Sequence, residues 1–289
     1  MGVLILNKPK GLSSFKALKS VQKVFGKAKA GHAGTLDPLA TGILPIFFDR
    51  ATKFIQFLPD HTKTYSASFI LGQSSDTEDI EGTIAFFKNE KIPSEKELNE
   101  SVQSFLGNYD QSAPIFSAKK IKGTPMYKLA RKGIELEKRI KTVHINEIKL
   151  LKYEYPYFEI EANVSSGTYI RTLGVDIAEK IGCNCVLSDL VRTKFGTMTL
   201  EDSISIDALK NLDNIEKMQY VKRVEKILES IPKVKIDSSE VKKFQNGSTF
   251  RVNEKKENDK NLVFHNEEFI GIGDIDDNNM LKPIRVYKI

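Results

Sequence analysis

The sequence predicts an α+β fold, a sheet with helices against it, followed by a small β-rich unit. Three observations carry this. Tyr65, Ala67, Phe69 and Leu71 alternate with polar neighbours, as do Phe158, Ile160, Ala162 and Val164, the period-two pattern of half-buried strands. The second run feeds a helical stripe of Ile170, Leu173, Ile177 and Ile181, and strand, helix, then strands again gives a sheet with helices on one face. Beyond Pro232 only short apolar runs separated by turn residues remain.

Taken in order, Val3–Leu6 reads as a strand, turned by Lys8-Pro9-Lys10-Gly11. Ser13 or Ser14 caps a helix with Leu18, Val21 and Phe25 on one face and Gly26 as its stop. Leu44–Phe48 reads as a buried strand, and Asp49 is expected to cap a helix carrying Ala51, Phe54, Ile55 and Leu58. A strand at 64–71 precedes another at Ile84–Phe87. Ser94 and Glu97 make a capping box for a helix lined by Leu98, Val102, Phe105 and Leu106 and ended by Gly107. Ile148 and Leu150 mark a strand ahead of 158–164. Thr168 is expected to cap the helix that Gly182 ends. Arg171 sits in the first turn of that helix, against the dipole, so it calls for an anionic partner. Ile215–Ile231 reads as one amphipathic helix stopped by Pro232. The tail follows, with strands at Val234–Ile236, Leu262–Phe264, Phe269–Ile272 and Ile284–Tyr287. Asn246-Gly247 and Asp276-Asp277-Asn278-Asn279 supply its turns. The boundary falls between residues 1–231 and 232–289.

The 289 residues, 40% hydrophobic, suffice for one large core and a satellite. Lys and Arg total 44 against 38 acids, a mild excess of +6 that suits a nucleic-acid partner without requiring one. Met1–Phe15 has no long apolar run, so no signal peptide is expected, and no stretch reaches the ~18 apolar residues of a membrane helix. Cys183 and Cys185 are too close for a disulfide framework and fit a reducing cytoplasm. They are alternatively half a zinc site, although no second Cys or His pair stands at ligand spacing. Residues 118–141 carry nine basic side chains, Lys119, Lys120 and Lys122 among them, against Glu135 and Glu137. With Met126, Tyr127 and Leu129 this reads as an RNA-gripping flap, or else as a solvated hairpin; Thr124-Pro125 starts a short helix within it.

The stretch GHAGTLDPLATGILPI, Gly31–Ile46, has no helical or strand period and is punctuated as a loop, yet its Leu36, Leu39, Ile43, Leu44 and Ile46 require packing. Its one carboxylate, Asp37, is stiffened by Pro38. A fixed acid on an apolar loop either caps a turn or is used chemically. GHAGTLDPLATG resembles the signature of the TruB family of tRNA pseudouridine synthases. LNKPKGLSS at 6–14, KTYSASFILGQSSDTEDIEG at 63–82 and SGTYIRTLGVDI at 166–177 fit the same family in order.

That resemblance implies a pseudouridine synthase-type mixed, mainly antiparallel sheet flanked by helices, with a PUA-like C-terminal domain. It implies isomerisation of a uridine in the T loop of tRNA, position 55, to pseudouridine. The partner is the tRNA T stem-loop, bound by a monomer in the cytoplasm with no membrane involvement. The reaction breaks the bond from C1′ to N1, remakes it at C5, and gains or loses no electrons or groups, so no cofactor or metal is expected. By the same resemblance Asp37 is the nucleophile, toward ribose or base, and Arg171 pairs with it. Tyr65 stacks on the base and serves the C5 proton. Tyr169 and Leu190 line the pocket, and His32 enters the space a flipped base vacates. Lys8 supports the loop or a phosphate. Segment 118–141, with Lys119 and Lys120, is a thumb on the RNA. Asn7 stands where family members often have an acid, which argues against a catalytic role there. Three rivals remain: an RNA chaperone that only binds, a guide-RNA-dependent enzyme of the same superfamily, and an Asp-nucleophile hydrolase. The intact Asp37, Tyr65 and Arg171 set opposes the first, the basic insertion the second, and the lack of a second nearby acid the third.

Overall fold

Ile43-Leu44-Pro45-Ile46-Phe47-Phe48 is apolar on both sides of its pleat, and both sides are buried. This strand anchors the sheet. The chain forms β1 (Val3–Lys8), α1 (Ser14–Val24), β2 (Ala30–His32), β3 (Thr41–Phe48), a 3-10 helix (Asp49–Phe57), β4 (Lys63–Leu71), β5 (Gln73–Ser75) and β6 (Ile84–Phe86). It continues with α2 (Glu95–Gln103), β7 (Gly107–Ser112), β8 (Lys120–Ile121), β9 (Thr124–Pro125), β10 (Ile140–Glu154), β11 (Tyr157–Val164), α3 (Ile170–Lys180), β12 (Cys185–Phe195), β13 (Met198–Thr199) and β14 (Ile204–Ser205). The computed structural model describes residues 2–59, 62–87, 91–112, 114, 120–121, 124–125, 140–253 and 260–287.

Across the main sheet the order is β14-β1-β3-β12-β4-β11-β10-β7. The β1–β14 and β3–β12 pairs are parallel and the other neighbours antiparallel. The expected mixed, mainly antiparallel sheet is therefore present. Helices on one face describe only half of it. Around β4, β11 and β10, α2 and α3 cover one face through Leu98, Val102, Leu173 and Ile177. The other face keeps Ser66, Glu159, Glu161 and Asn163 half-buried. Around β1 and β3 both faces are covered: Leu44, Ile46 and Phe48 meet α1, while Ile43 and Phe47 meet the 3-10 helix and the C-terminal sheet. Gly174 lets α3 lie against the sheet, since a Cβ there would fall 1.9 Å from the Phe69 ring.

Several elements differ from the sequence reading. The Gly31–Ile46 stretch is not all loop, because Ala30–His32 pairs antiparallel with β3 and leaves 33–40 as the loop proper. Asp49 does not cap its helix. It lies at φ +47 and gives its N–H to the Lys29 carbonyl at 2.7 Å, so the following turn winds as 3-10 from Phe48. The capping box of Ser94 and Glu97 forms as read, but the helix ends at Ser104 and Gly107 instead opens β7 at φ +95. Thr168 turns its hydroxyl back to the Ser165 carbonyl, and Tyr169 is the N-cap. Ile215–Ile231 is broken into helices at Asn214–Gln219 and Val224–Ile227, because Val221–Lys222 is captured as a strand (β15) on β1. Thr124-Pro125 pairs as β9 with β8 rather than starting a helix. Most of 118–141, Lys119 included, lies outside the described residues.

After Pro232 come β16 (Lys233–Lys235), an eight-residue helix at Ser238–Gln245, β17 (Phe250–Arg251), β18 (Asn261–His265), β19 (Glu268–Ile275) and β20 (Met280–Val286). They form a five-stranded sheet ordered β16-β18-β19-β20-β17. The helix was not legible as such, with Phe244 its single buried residue.

Candidate active site

The Asp37 loop is held at three carbonyls, those of Gly34, Leu36 and Pro38, by three buried side chains. Lys8, wholly buried at the end of β1, donates from Nζ to the carbonyls of Pro9 (2.8 Å), Leu12 (2.6 Å) and Pro38 (3.3 Å). Ser14, the first residue of α1, donates to the Leu36 carbonyl at 2.9 Å and accepts the Leu36 N–H at 2.8 Å. Arg192 on β12, also wholly buried, donates to the carbonyls of Gly34 and Ile43, each at 2.7 Å. Gly42 permits that crossing: at φ +96, a Cβ there would lie 2.3 Å from the Arg192 carbonyl oxygen. Leu36 and Leu39 drop into the core beneath.

Asp37 itself faces out of the loop with its side chain 41% exposed. Opposite it, Arg171 rises from the first turn of α3, 4% exposed, with Nε 3.0 Å from Asp37 Oδ2. The anionic partner that the helix dipole demanded is thus Asp37. A second carboxylate shares the guanidinium: Asp79 Oδ2 lies 3.8 Å from Arg171 Nη1, which also donates to the Thr77 carbonyl at 2.5 Å. Asp79 is buried and fixed by the Thr77 hydroxyl at 2.6 Å and the Glu81 N–H at 3.0 Å. Sequence reasoning missed Asp79, although it stands inside the DTEDIEG run; a buried cation in a family-like stretch rich in acids was the available signal.

These groups open onto a cavity of about 490 Å³, a size that ligand pockets commonly have. His32, Asp37, Tyr65, Tyr169, Arg171 and Leu190, six residues named from sequence, all line it. Tyr65 is 7% exposed on β4, opposite Arg192 in the β4–β12 register. His32 on β2 has a buried Nδ1 without a hydrogen-bond partner among the described residues, and burial, then the Arg192 charge, push its imidazole below its ordinary value. Lys8 does not line the cavity; it lies under the loop as a scaffold. Lys120 is placed only as part of β8. At the rim Lys63 donates to the Ser166 hydroxyl at 2.6 Å and stacks over the Phe195 ring. Chemically, the arrangement presents one accessible carboxylate, held by a buried cation, to a cavity walled by aromatic and aliphatic side chains. That suits a nucleophile acting on a flat ligand. Cys183 and Cys185 are both buried away from it, and burial pushes the Cys185 thiol well up. Among the described residues no cluster of His, Cys, Asp or Glu has the makings of a metal site.

Comparison with known proteins places the chain in a family. Residues 22–170 match the family described as TruB family pseudouridylate synthase (N terminal domain), and residues 232–287 match Pseudouridine synthase II TruB, C-terminal. A tRNA pseudouridine synthase B of Clostridium acetobutylicum is 38% identical over 279 residues, covering 95% of each chain. One of Actinobacillus pleuropneumoniae is 35% identical over 294 residues, covering 100% of this chain and 96% of that one. Among solved structures, an H/ACA RNP bound to a substrate RNA containing 2'-deoxyuridine contains a chain with the same fold, at a TM-score of 0.74 and 22% identity over 100% of this chain and 85% of that one. The chain belongs to the TruB family of pseudouridylate synthases, which are isomerases.

Proposed function

We propose that this protein converts the uridine at position 55, in the T loop of tRNA, to pseudouridine, with Asp37 as nucleophile. The observation that carries the reading is the Asp37–Arg171 pair at 3.0 Å at the mouth of the cavity. The guanidinium aims that carboxylate, and the reaction needs a nucleophile that attacks either C1′ of the ribose or the base. The C1′–N1 bond breaks, the base turns within the pocket, C5 bonds to C1′, the bond that Asp37 formed breaks to return its carboxylate, and the C5 proton is lost while N1 gains one.

The target base is stacked inside folded RNA and must be flipped out, at a cost of a few kcal/mol. Stacking on Tyr65, at about 1–3 kcal/mol per base, offsets much of that. Leu190 and Tyr169 close the walls and keep the detached base from leaving. His32, neutral through burial, fills the gap in the RNA. Segment 118–141, Lys119 and Lys120 with it, grips the stem-loop phosphates. The tRNA preference is supported by the relatives that are 35–38% identical, which are tRNA pseudouridine synthases B. We assign the enzyme to the cytoplasm, acting as a monomer.

The test is direct. Unmodified tRNA is incubated with the protein, and pseudouridine is mapped by carbodiimide treatment and primer extension. A single new stop in the T loop at position 55 is expected. A stop elsewhere would relocate the substrate, and none at all would overturn the reading.

A further inference from the structure

Gln111 is 1% exposed on β7, and both ends of its side-chain amide engage Tyr169, while the amide also meets the Tyr109 hydroxyl. Nε2 donates to the Tyr169 carbonyl at 2.9 Å, and Oε1 accepts the Tyr169 N–H at 2.7 Å. Tyr169 is the N-cap of α3 and has no side-chain cap of its own. A side-chain amide thus stands where a neighbouring peptide would, and it fixes both the N–H and the C=O of the residue from which the catalytic helix starts. Arg171 follows two residues later.

We infer that Gln111 is a positioning residue for the isomerisation, holding the start of α3 in the one register that sets Tyr169 in the pocket wall and Arg171 against Asp37. This rests on the function proposed above. Two further contacts on the same elements support it. Tyr109, two residues back on the same face of β7, donates its hydroxyl to Asp176 farther along α3. Lys141 on β10, which pairs with Gln111 across the ladder, donates to the Ser166 carbonyl at 2.7 Å, just ahead of α3. Ser112 and Ile140, the end of β7 and the start of β10, bracket residues 113–139, the bulk of the basic segment in the sequence. The two strands that root the RNA-gripping segment are therefore the two that hold the backbone entering α3.

Gln111→Leu removes both hydrogen bonds to Tyr169, and the contact with the Tyr109 hydroxyl, at similar size. Gln111→Glu keeps the acceptor for the Tyr169 N–H but turns a carboxylate oxygen to the Tyr169 carbonyl, a contact that becomes a hydrogen bond again when the introduced carboxyl is protonated. Single-turnover rates at saturating tRNA, tRNA affinity and thermal melting are measured for both beside the wild type and Asp37→Asn. Gln111→Leu is expected to lose about 10²-fold in rate, as small misplacements of catalytic groups do, with affinity unchanged. The rate of Gln111→Glu relative to wild type should rise as pH falls. An unchanged rate in Gln111→Leu, a loss of affinity equal to the loss of rate, or a pH-independent ratio for Gln111→Glu would each overturn the assignment. If Gln111→Leu fails to fold, the Gln111→Glu ratio decides. Failure of the function reading looks different: the wild type would then be as inactive as Asp37→Asn.

Discussion

The two parts of the chain bury different things. Lys8, Lys63, Asp79, Gln111, Arg171 and Arg192 are all buried in the part before Pro232, in or beside the walls of one cavity. Among the described residues after Pro232, the sole buried polar side chain is Asn261. That part is held by Phe244, Val263, Ile270 and Leu281, and by a cluster in which Phe269 meets Phe54 and Tyr287, each at 5.5 Å between ring centres. Burying charge and amide groups is expensive unless each is paired; Glu225, paired with Arg223, is buried apart from the cavity, but the concentration around the cavity marks where the fold serves chemistry. The C-terminal sheet serves packing, and its near balance of 11 basic and 10 acidic residues gives it little long-range pull on RNA.

The sharpest way to break this contrast is to remove the charge pair. Asp37→Asn should abolish isomerisation while tRNA affinity stays within about tenfold, because phosphate contacts and stacking dominate binding. Arg171→Ala should cost about 10²-fold or more in single-turnover rate, by leaving Asp37 unaimed. The double variant should be no worse than Asp37→Asn, since the arginine then has nothing left to orient. Additive losses would mean that Arg171 acts on the substrate by itself. The complementary change is Phe269→Ala. It empties a buried ring site and should cost about 3–5 kcal/mol in urea unfolding, yet leave the rate of the folded fraction untouched. A lost rate at full folding would make the C-terminal sheet part of the site.

The two parts also differed in how far they could be read beforehand. Alternating strands such as β4 and β11 were plain, because one face packs and the other stays polar. The cavity-lining residues were plain through family-like motifs. What stayed hidden acts through the backbone: Arg192 grips Gly34 and Ile43 from a strand far away in sequence, and Gln111 grips Tyr169 across the sheet. Such contacts leave no period in the sequence. The break in Ile215–Ile231 was hidden for a similar reason, since capture of Val221–Lys222 by the edge of β1 is a tertiary event that overrides an amphipathic pattern.

A smaller effect is expected from the basic segment. Changing Lys119, Lys120 and Lys122 to Ala should weaken tRNA binding and lower its salt dependence by up to about three ions' worth of slope. Filter binding across a salt series reads this, and an unchanged slope removes these lysines from the interface.

The smallest effect tests whether the scaffold under Asp37 really carries a buried cation. Burial pushes Lys8 down from 10.5 to about 8, against the pull of the Asp37 and Glu81 charges. Between those two values the unfolded chain keeps the proton that the folded chain has released, so unfolding takes up a proton and stability rises with pH. Below about 8 both states are protonated, and folding bears the full cost of enclosing the ammonium. Lys8→Met removes this titration together with the three carbonyl contacts. The variant should therefore be the less stable protein at alkaline pH, with a deficit that shrinks as the pH is lowered. Urea unfolding at about pH 7 and about pH 9.5 measures it. A deficit that is constant, or larger at neutral pH, would mean that the Lys8 ammonium sheds no proton below its ordinary value, and that the Asp37 loop rests on a well-solvated charge.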